Sequence, residues 1–198
     1  MKNNRATSLV EMLVCCALVG IVLSLVYSMV VAGKNYLAVM SAKHTLQQEA
    51  LQSITWISRE ISESDAECFQ VATMLVNGVD GVVFASPRSP VSGKVEYDPV
   101  GRMLWQQHIC YYLRTINGVS TLCRKARTLS PAFSYPPPAP PVNTVSSDAS
   151  LPERVIARHV EIFSVSNEEV PEVRIRCRLT GFSRDYAIEV KTRLFLRN

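Results

Sequence analysis

The apolar and polar positions of this chain begin with a long uncharged run near the N-terminus. The run covers the 22 residues between Glu11 and Lys34. A helix needs roughly 20 apolar residues to cross the hydrocarbon core of a bilayer, so this run is long enough to span a membrane. The carboxylate of Glu11 at its start is unusual. A charge near hydrocarbon costs roughly 2.5–3.5 kcal/mol or more, and such a group usually has a functional partner.

Beyond Lys34 the pattern changes to a single apolar stripe. Apolar side chains, or the apolar stem of a lysine, recur at steps of three and four residues, at Tyr36, Val39, Lys43, Leu46, Ala50, Ile54, Ile57 and Ile61. No proline interrupts residues 1–86. We therefore predict one continuous helix from about Leu9 to about Ser64. Its first half is apolar on all sides, and its second half must bury one face.

The rest of the chain has the patterns of β-strands. Apolar residues alternate with charged ones in 172–179 and 186–197, which is typical of strands with one buried and one solvated face. The pair Asn117-Gly118 is a strong hairpin signal. In all, strands are predicted at 69–76, 81–85, 94–97, 102–107, 109–116, 119–126, 154–165, 172–179 and 186–197. The predicted fold class is α+β, with the long N-terminal helix packed on an antiparallel β-sheet domain.

One stretch departs from this alternation. Residues 130–152 include seven prolines, at positions 131, 136, 137, 138, 140, 141 and 152. Such a composition predicts an extended or irregular, exposed loop within the domain, because strands resume after it. A proline-rich ligand for another protein is the alternative to a plain surface loop.

Charge and composition narrow the range of functions. The chain has 198 residues, which leaves enough length for one globular domain beyond the apolar run. Its net charge of +4 does not by itself imply that it binds nucleic acid. The alternating Arg174, Arg176 and Arg178 could face an anionic partner such as DNA. A row of this kind is more often a solvated strand face, and Glu189 is expected to lie opposite it. Nucleic acid is therefore not among the predicted partners.

Four cysteines lie outside the apolar run, at positions 68, 110, 123 and 177. In a translocated domain they permit up to two disulfides and three pairings, and the sequence does not choose among them. The Asn117-Gly118 hairpin would place Tyr112 opposite Cys123 and Cys110 one diagonal step away, at roughly 7–8 Å. Cys110–Cys123 is therefore a candidate disulfide that needs a bulge or a register shift. The alternative is that both are buried thiols.

No pattern of a catalytic or metal site stands out. The nucleotide-binding, metalloprotease and serine-hydrolase motifs are absent, and the three histidines, at positions 44, 108 and 159, are scattered along the chain. None of them has a second ligand at helical spacing. We therefore predict no enzymatic activity, no cofactor and no metal.

The N-terminus allows three interpretations. A secretory signal peptide has a shorter apolar core followed by a small-residue cleavage site. A lipoprotein signal at Cys15 or Cys16 would need a small residue directly before the cysteine, and the apolar run would not continue beyond it. The third interpretation comes from a resemblance. Residues 6–14, ATSLVEMLV, resemble the class III prepilin signal of type IV pilins and type II secretion pseudopilins.

The resemblance implies a set of processing steps. The leader, residues 1–6, would be cut between Ala6 and Thr7 by a prepilin peptidase, and the new amine of Thr7 would be methylated. Glu11 would then stand fifth in the mature chain, as the assembly acid does in that family. The family usually has glycine at the position of Ala6 and phenylalanine at that of Thr7. The second departure suggests a minor subunit.

Later segments resemble minor pilins of the PilW class and the J-type pseudopilin. They are Ile57–Ile61, Val82–Phe84, Tyr97-Asp98, Leu104-Trp105, Tyr111–Arg114, Thr121–Arg124 and Thr192–Asn198, and they occur in the same order as in those proteins. The implied organisation is a leader at 1–6, a transmembrane and assembly segment at 7–33, and a periplasmic pilin-like domain at 34–198.

The function implied by the resemblance is structural. The chain would be a subunit of a type IV pilus or a type II secretion pseudopilus, with the inner membrane, prepilin peptidase and other pilins as partners. Its N-terminus would be cytoplasmic and its domain periplasmic before assembly. Two alternatives remain. One is a membrane-anchored binding domain that forms no filament, and the other is an adhesive or DNA-capturing tip subunit.

Overall fold

The N-terminal helix is continuous, as predicted. The computed structural model describes residues 9–72, 80–166, 170–179 and 185–195. Helix α1 covers Leu9–Ser62, a length of 54 residues. It ends when Ser64 donates its N–H to the carbonyl of Ile61, and a short 3₁₀ turn follows at Ala66–Cys68. The side chain of Asp65 caps this turn by accepting the N–H of Glu67 at 2.9 Å.

The chain divides into two structural units within this helix. One unit is residues 1–43 and the other is residues 44–198. In the first unit, the described residues are all helical. The second unit combines the last part of α1 with two antiparallel sheets, so the chain has the predicted α+β class. All of the sheet contacts below lie within this second unit.

The larger sheet has five strands in the order β1-β2-β3-β4-β5, each antiparallel to its neighbour. Asn117 and Gly118 have φ angles of 51° and 78° and form the predicted tight turn between β3 and β4. Ile116 lies opposite Val119, as predicted. The strands are Phe69–Ala72 (β1), Gly81–Ser86 (β2), Trp105–Ile116 (β3), Val119–Phe133 (β4) and Glu153–Arg158 (β5).

The smaller sheet has three strands, Val160–Val165 (β6), Glu172–Leu179 (β7) and Tyr186–Arg193 (β8), in the order β6-β7-β8. The prediction of a single strand at 154–165 is wrong. His159 has a φ of 57°, and this left-handed residue ends β5 and starts β6 in the other sheet. The sequence pattern of residues 154–165 therefore did not indicate the change of sheet.

Other predicted strands have different bounds in the structure. Residues 94–97 form no strand and make only isolated bridges, Arg88 with Val95 and Tyr97 with Met103. The predicted strands 102–107 and 109–116 are one strand, β3, with a bulge between Trp105 and Gln107. Strand β4 continues to Phe133, beyond the predicted end at 126. The predicted strand residues 73–76 and 196–197 lie outside the described residues.

The main core lies between α1 and both sheets. The helical stripe predicted from the sequence is buried at Leu46, Ala50, Ile54, Ile57 and Ile61. It shares one cluster with side chains from both sheets, among them Val82, Phe84, Ile109, Tyr111, Leu122, Phe163 and Ile175. Each large aliphatic side chain contributes roughly 1.5–3 kcal/mol when fully buried, so this stripe holds the helix on the sheets.

The proline-rich segment is largely irregular, as its composition predicts, but it packs on the domain through buried side chains. Residues 134–152, here called the strap, cover the other face of the five-stranded sheet and contain a short helix α2, Val142–Ser146. Val142 and Val145 are buried against side chains of that face, including Val83, Cys110, Tyr112 and Cys123. A Cβ on Gly81 would approach Val142 Cγ1 to 2.8 Å. Glycine at position 81 therefore allows the strap to lie close to β2.

Candidate functional site

The candidate site is the apolar half of α1, which is not covered by any of the residues that the structure describes. Helix α1 contains a stretch long and apolar enough to cross a membrane, and none of that stretch is buried. Its large side chains, from Leu9 to Val31, are between 39% and 81% exposed. So large an apolar surface needs lipid or another protein to cover it, because monomeric soluble proteins rarely expose such a patch.

Two serines inside this segment are satisfied by the helix itself. Ser24 donates its hydroxyl to the carbonyl of Ile21, and Ser28 donates to that of Leu25, both at 2.8 Å. A backbone or side-chain polar group without a partner costs several kcal/mol in hydrocarbon, so these bonds suit an apolar surrounding. Cys15 and Cys16 are exposed and reduced, and behave there as small apolar residues.

Glu11 is in the first turn of the helix and is exposed. A carboxylate is favoured at this end because the helix dipole is positive there. The predicted cleavage site, Ala6 and Thr7, and the methylation of Thr7 lie outside the described residues. The structure thus brings Glu11 to the start of the apolar surface, and its pairing with an amine stays a prediction.

A partly buried ionic cluster joins the second half of α1 to the five-stranded sheet. Arg124 on β4 donates two hydrogen bonds to Glu60, at 3.0 Å from Nε and 2.9 Å from Nη2. The hydroxyl of Tyr111 on β3 donates to the same carboxylate at 2.6 Å. Only 17% of the Arg124 side chain and 12% of the Glu60 side chain are exposed. This bidentate geometry fixes both distance and orientation between helix and sheet.

The pKa values of the cluster follow from this arrangement. Burial alone would lower the pKa of Arg124, but the hydrogen bonds and charge of Glu60 outweigh burial and raise it. The pKa of Tyr111 is raised well above its ordinary value, first by burial and then by the charge of Glu60. The guanidinium therefore stays charged and the phenol stays neutral as a donor, which keeps the cluster intact at physiological pH.

Two further contacts tie the helix to the domain. Arg88, after β2, donates to both carboxylate oxygens of Glu63, and this hydrogen bonding raises the pKa of Arg88. Glu49 accepts the backbone N–H of Arg158 at the end of β5, at 3.0 Å. Neither Glu49 nor Glu60 was predicted from the sequence to make these contacts. Their positions directly beside the buried stripe were the one available signal.

The strap has its own polar anchors on the other face of the sheet. Lys125 on β4 is 5% exposed, and its ammonium donates to the carbonyls of Ser146 at 2.7 Å and Asp148 at 2.8 Å. The first of these caps the C-terminal end of α2. Tyr112 and Arg114 both donate to Glu153, and the hydrogen bond from Tyr112 is the main cause of the lowered pKa of that carboxyl.

His108 also lies beneath the strap. It is 7% exposed and its Nε2 has no hydrogen-bond partner among the described residues. Burial and the charge of Arg127, which lies opposite on β4, lower its pKa, while hydrogen bonding to the backbone of Pro137 and Pro138 opposes this. His44 is exposed on α1, and His159 is the left-handed residue between the sheets. In the described parts of the chain, no group of three or more His, Cys, Asp or Glu could hold a metal ion.

Cys110 and Cys123 occupy the diagonal positions predicted from the hairpin, because Tyr112 lies opposite Cys123 and Lys125 lies opposite Cys110. Both are buried free thiols in the structure, which is the stated alternative to a disulfide. Burial raises the pKa of Cys110 to about 12 and that of Cys123 to about 11. Neither is a nucleophile at neutral pH, and the disulfide stays a prediction for peptide mapping.

The row of arginines on β7 is matched by carboxylates. Arg174 donates to Glu189 at 3.0 Å, as the sequence suggested. Arg176 and Arg178 pair with Glu161, and Arg178 also reaches Asp185. A row neutralised in this way has the character of a solvated strand face.

Comparisons with models of protein families, with curated proteins and with solved structures find no match to this chain. The long apolar helix packed through its second half on an antiparallel sheet is compatible with a pilin-like architecture. In the described part of the chain, the structure shows an α+β protein with one helix that is long and apolar enough to cross a membrane.

Proposed function

We propose that this chain is a minor pilin or pseudopilin, a structural subunit of a type IV pilus or of a type II secretion pseudopilus. It would be held in the inner membrane by residues 7–33, with its domain in the periplasm, until it is assembled. The observation that carries the proposal is the apolar half of α1, which is exposed on all sides and begins at a single carboxylate, Glu11.

Glu11 has a physical role in such an assembly. An unpaired carboxylate among apolar helices is costly, whereas an ion pair is tolerable. The N-terminal amine of a neighbouring subunit, freed by cleavage before Thr7, would supply the opposite charge. Such a pair sets the axial register between helices, as buried polar residues do in coiled coils. The sheets and the strap would then decorate the filament or its tip.

Processing is the first test. Co-expression with a prepilin peptidase should shorten the chain by residues 1–6 and leave Thr7 as the first residue, which mass spectrometry of the N-terminus detects. Replacement Ala6→Trp should block the cut while the chain still reaches the membrane. An intact leader beside an active peptidase would favour the alternative, a membrane-anchored binding domain that forms no filament.

Assembly is the second test. Glu11→Gln removes the charge at constant shape, and Glu11→Asp keeps it. We expect the Gln variant to insert into the membrane but to be excluded from filaments isolated by shearing, and the Asp variant to be included. Equal inclusion of the Gln variant and the parent chain would remove the charge-pairing role.

A further inference from the structure

In the part of the chain that the structure describes, strand β8 is an edge of the three-stranded sheet. Among the described residues it pairs with β7 and with no other strand, over eight residues from Tyr186 to Arg193. One side of β8 therefore carries a row of backbone N–H and C=O groups that point away from the sheet. Such an edge is a template on which another strand can pair.

The core is incompletely covered at this edge. The inward positions of β7, Val173, Ile175 and Cys177, are fully buried. The inward positions of β8 contact the same core, but Ile188 and Val190 are only partly buried. A strand added beside β8 would cover these side chains, and burial of apolar surface favours such an addition.

The charges of β8 are complementary to those of a second β8. If two copies pair antiparallel with Val190 opposite Val190, then Glu189 of each copy lies opposite Lys191 of the other. Ala187 lies opposite Arg193 in the same register. Moving the centre of pairing by one residue would oppose Glu189 to itself or Lys191 to itself. Opposite charges at directly facing positions stabilise a strand pair, and like charges destabilise it.

We propose that β8 is an interaction surface for a second copy of this chain, in an antiparallel pair centred on Val190 that joins two three-stranded sheets into one. The salt bridges of Glu189 to Arg174 and Lys191 are 31% to 49% exposed and can rearrange at little cost. The interface uses the domain alone. It is independent of the proposed filament function, which uses the apolar half of α1.

Disulfide trapping in the full chain tests the pair. Facing residues in antiparallel strands have Cα atoms roughly 4.5–5.5 Å apart, within the range of a disulfide. In membranes, with Cys15→Ala and Cys16→Ala to remove the exposed cysteines, Val190→Cys should give a covalent dimer on mild oxidation. Ser164→Cys, an exposed position on the opposite edge strand β6, is the matched control and should stay monomeric.

Charge exchange tests the register. Adding Lys191→Glu to the Val190→Cys chain places carboxylates opposite each other at two positions, and should lower the dimer yield by about threefold or more. Adding Glu189→Lys as well restores opposite charges and should restore the yield. A yield indifferent to these charges, a monomeric Val190→Cys chain, or an adduct to a different protein would each overturn the proposal. None of them would bear on leader cleavage or on Glu11.

Discussion

Residues 9–33 and residues 46–61 belong to one helix, yet they use apolar side chains in opposite ways. In the first segment the apolar residues surround the helix, and none is buried by the part of the chain that the structure describes. In the second, one apolar stripe from Leu46 to Ile61 is buried against the two sheets. Cover for the first segment therefore has to come from beyond the described residues, because so large an apolar surface is rarely left exposed to water. The second gives the domain its core and carries the ionic contacts that orient the helix.

The largest effect should come from removing the second segment. A chain that begins at Lys34 should fold as a soluble domain, whereas one that begins after Ile57 loses Leu46, Ala50, Ile54 and Ile57 from the core. Each large aliphatic residue contributes roughly 1.5–3 kcal/mol, and small domains have roughly 5–15 kcal/mol in total. The shorter chain should aggregate or unfold. Equal thermal melting of the two chains by circular dichroism would show that the helix does not support the sheets.

The ionic cluster should give the next largest effect. Glu60→Ala leaves Arg124 charged and partly buried without its carboxylate, so the free energy of unfolding should fall by about 3–5 kcal/mol. Arg59→Ala changes the neighbouring helix position, whose side chain is 72% exposed, and should cost less than about 1 kcal/mol. Urea denaturation of chains beginning at Lys34 measures both. Similar losses in the two variants would contradict the anchoring role of Glu60.

A matched pair of isoleucines compares the two segments directly. Ile57 has no exposed surface, and Ile21 is 57% exposed. Ile57→Ala should lower the free energy of unfolding of the domain by about 2–5 kcal/mol, because it leaves a cavity in the core. Ile21→Ala should leave thermal melting of the domain in the detergent-solubilised full chain unchanged. A loss of domain stability in the Ile21 variant would mean that the two segments are not energetically separate.

The smallest effect concerns pH and involves only the domain. The folded pKa of His108 lies below its ordinary value of 6.5, mainly through burial. At His108 the unfolded chain then binds more protons than the folded chain as pH falls through this window. The contribution of His108 to stability is therefore greatest above pH 6.5 and declines below it. His108→Gln should reduce this decline between pH 7 and pH 5, followed by thermal melting. An unchanged pH profile in the variant would assign the decline to other groups.

The sequence by itself determined the elements whose signals are local. The 22-residue uncharged run, the stripe from Leu46 to Ile61 and the Asn117-Gly118 turn each specify a backbone conformation or a buried face within a few residues. The helix, the hairpin register and the diagonal placement of Cys110 and Cys123 were predicted for that reason. The position of Glu11 at the start of the apolar surface also follows from spacing alone.

Only the tertiary structure decided features that join distant parts of the chain. One such feature is the pairing of Glu60 with Arg124 and Tyr111. Another is the change of sheet at His159, and a third is the packing of the strap on the sheet, where Lys125 binds it. All three depend on contacts between residues far apart in sequence. Proline content predicted an exposed loop because prolines cannot supply ladder hydrogen bonds. Proline content did not show that the second face of the five-stranded sheet also needs to be covered. In the structure, the strap covers that face.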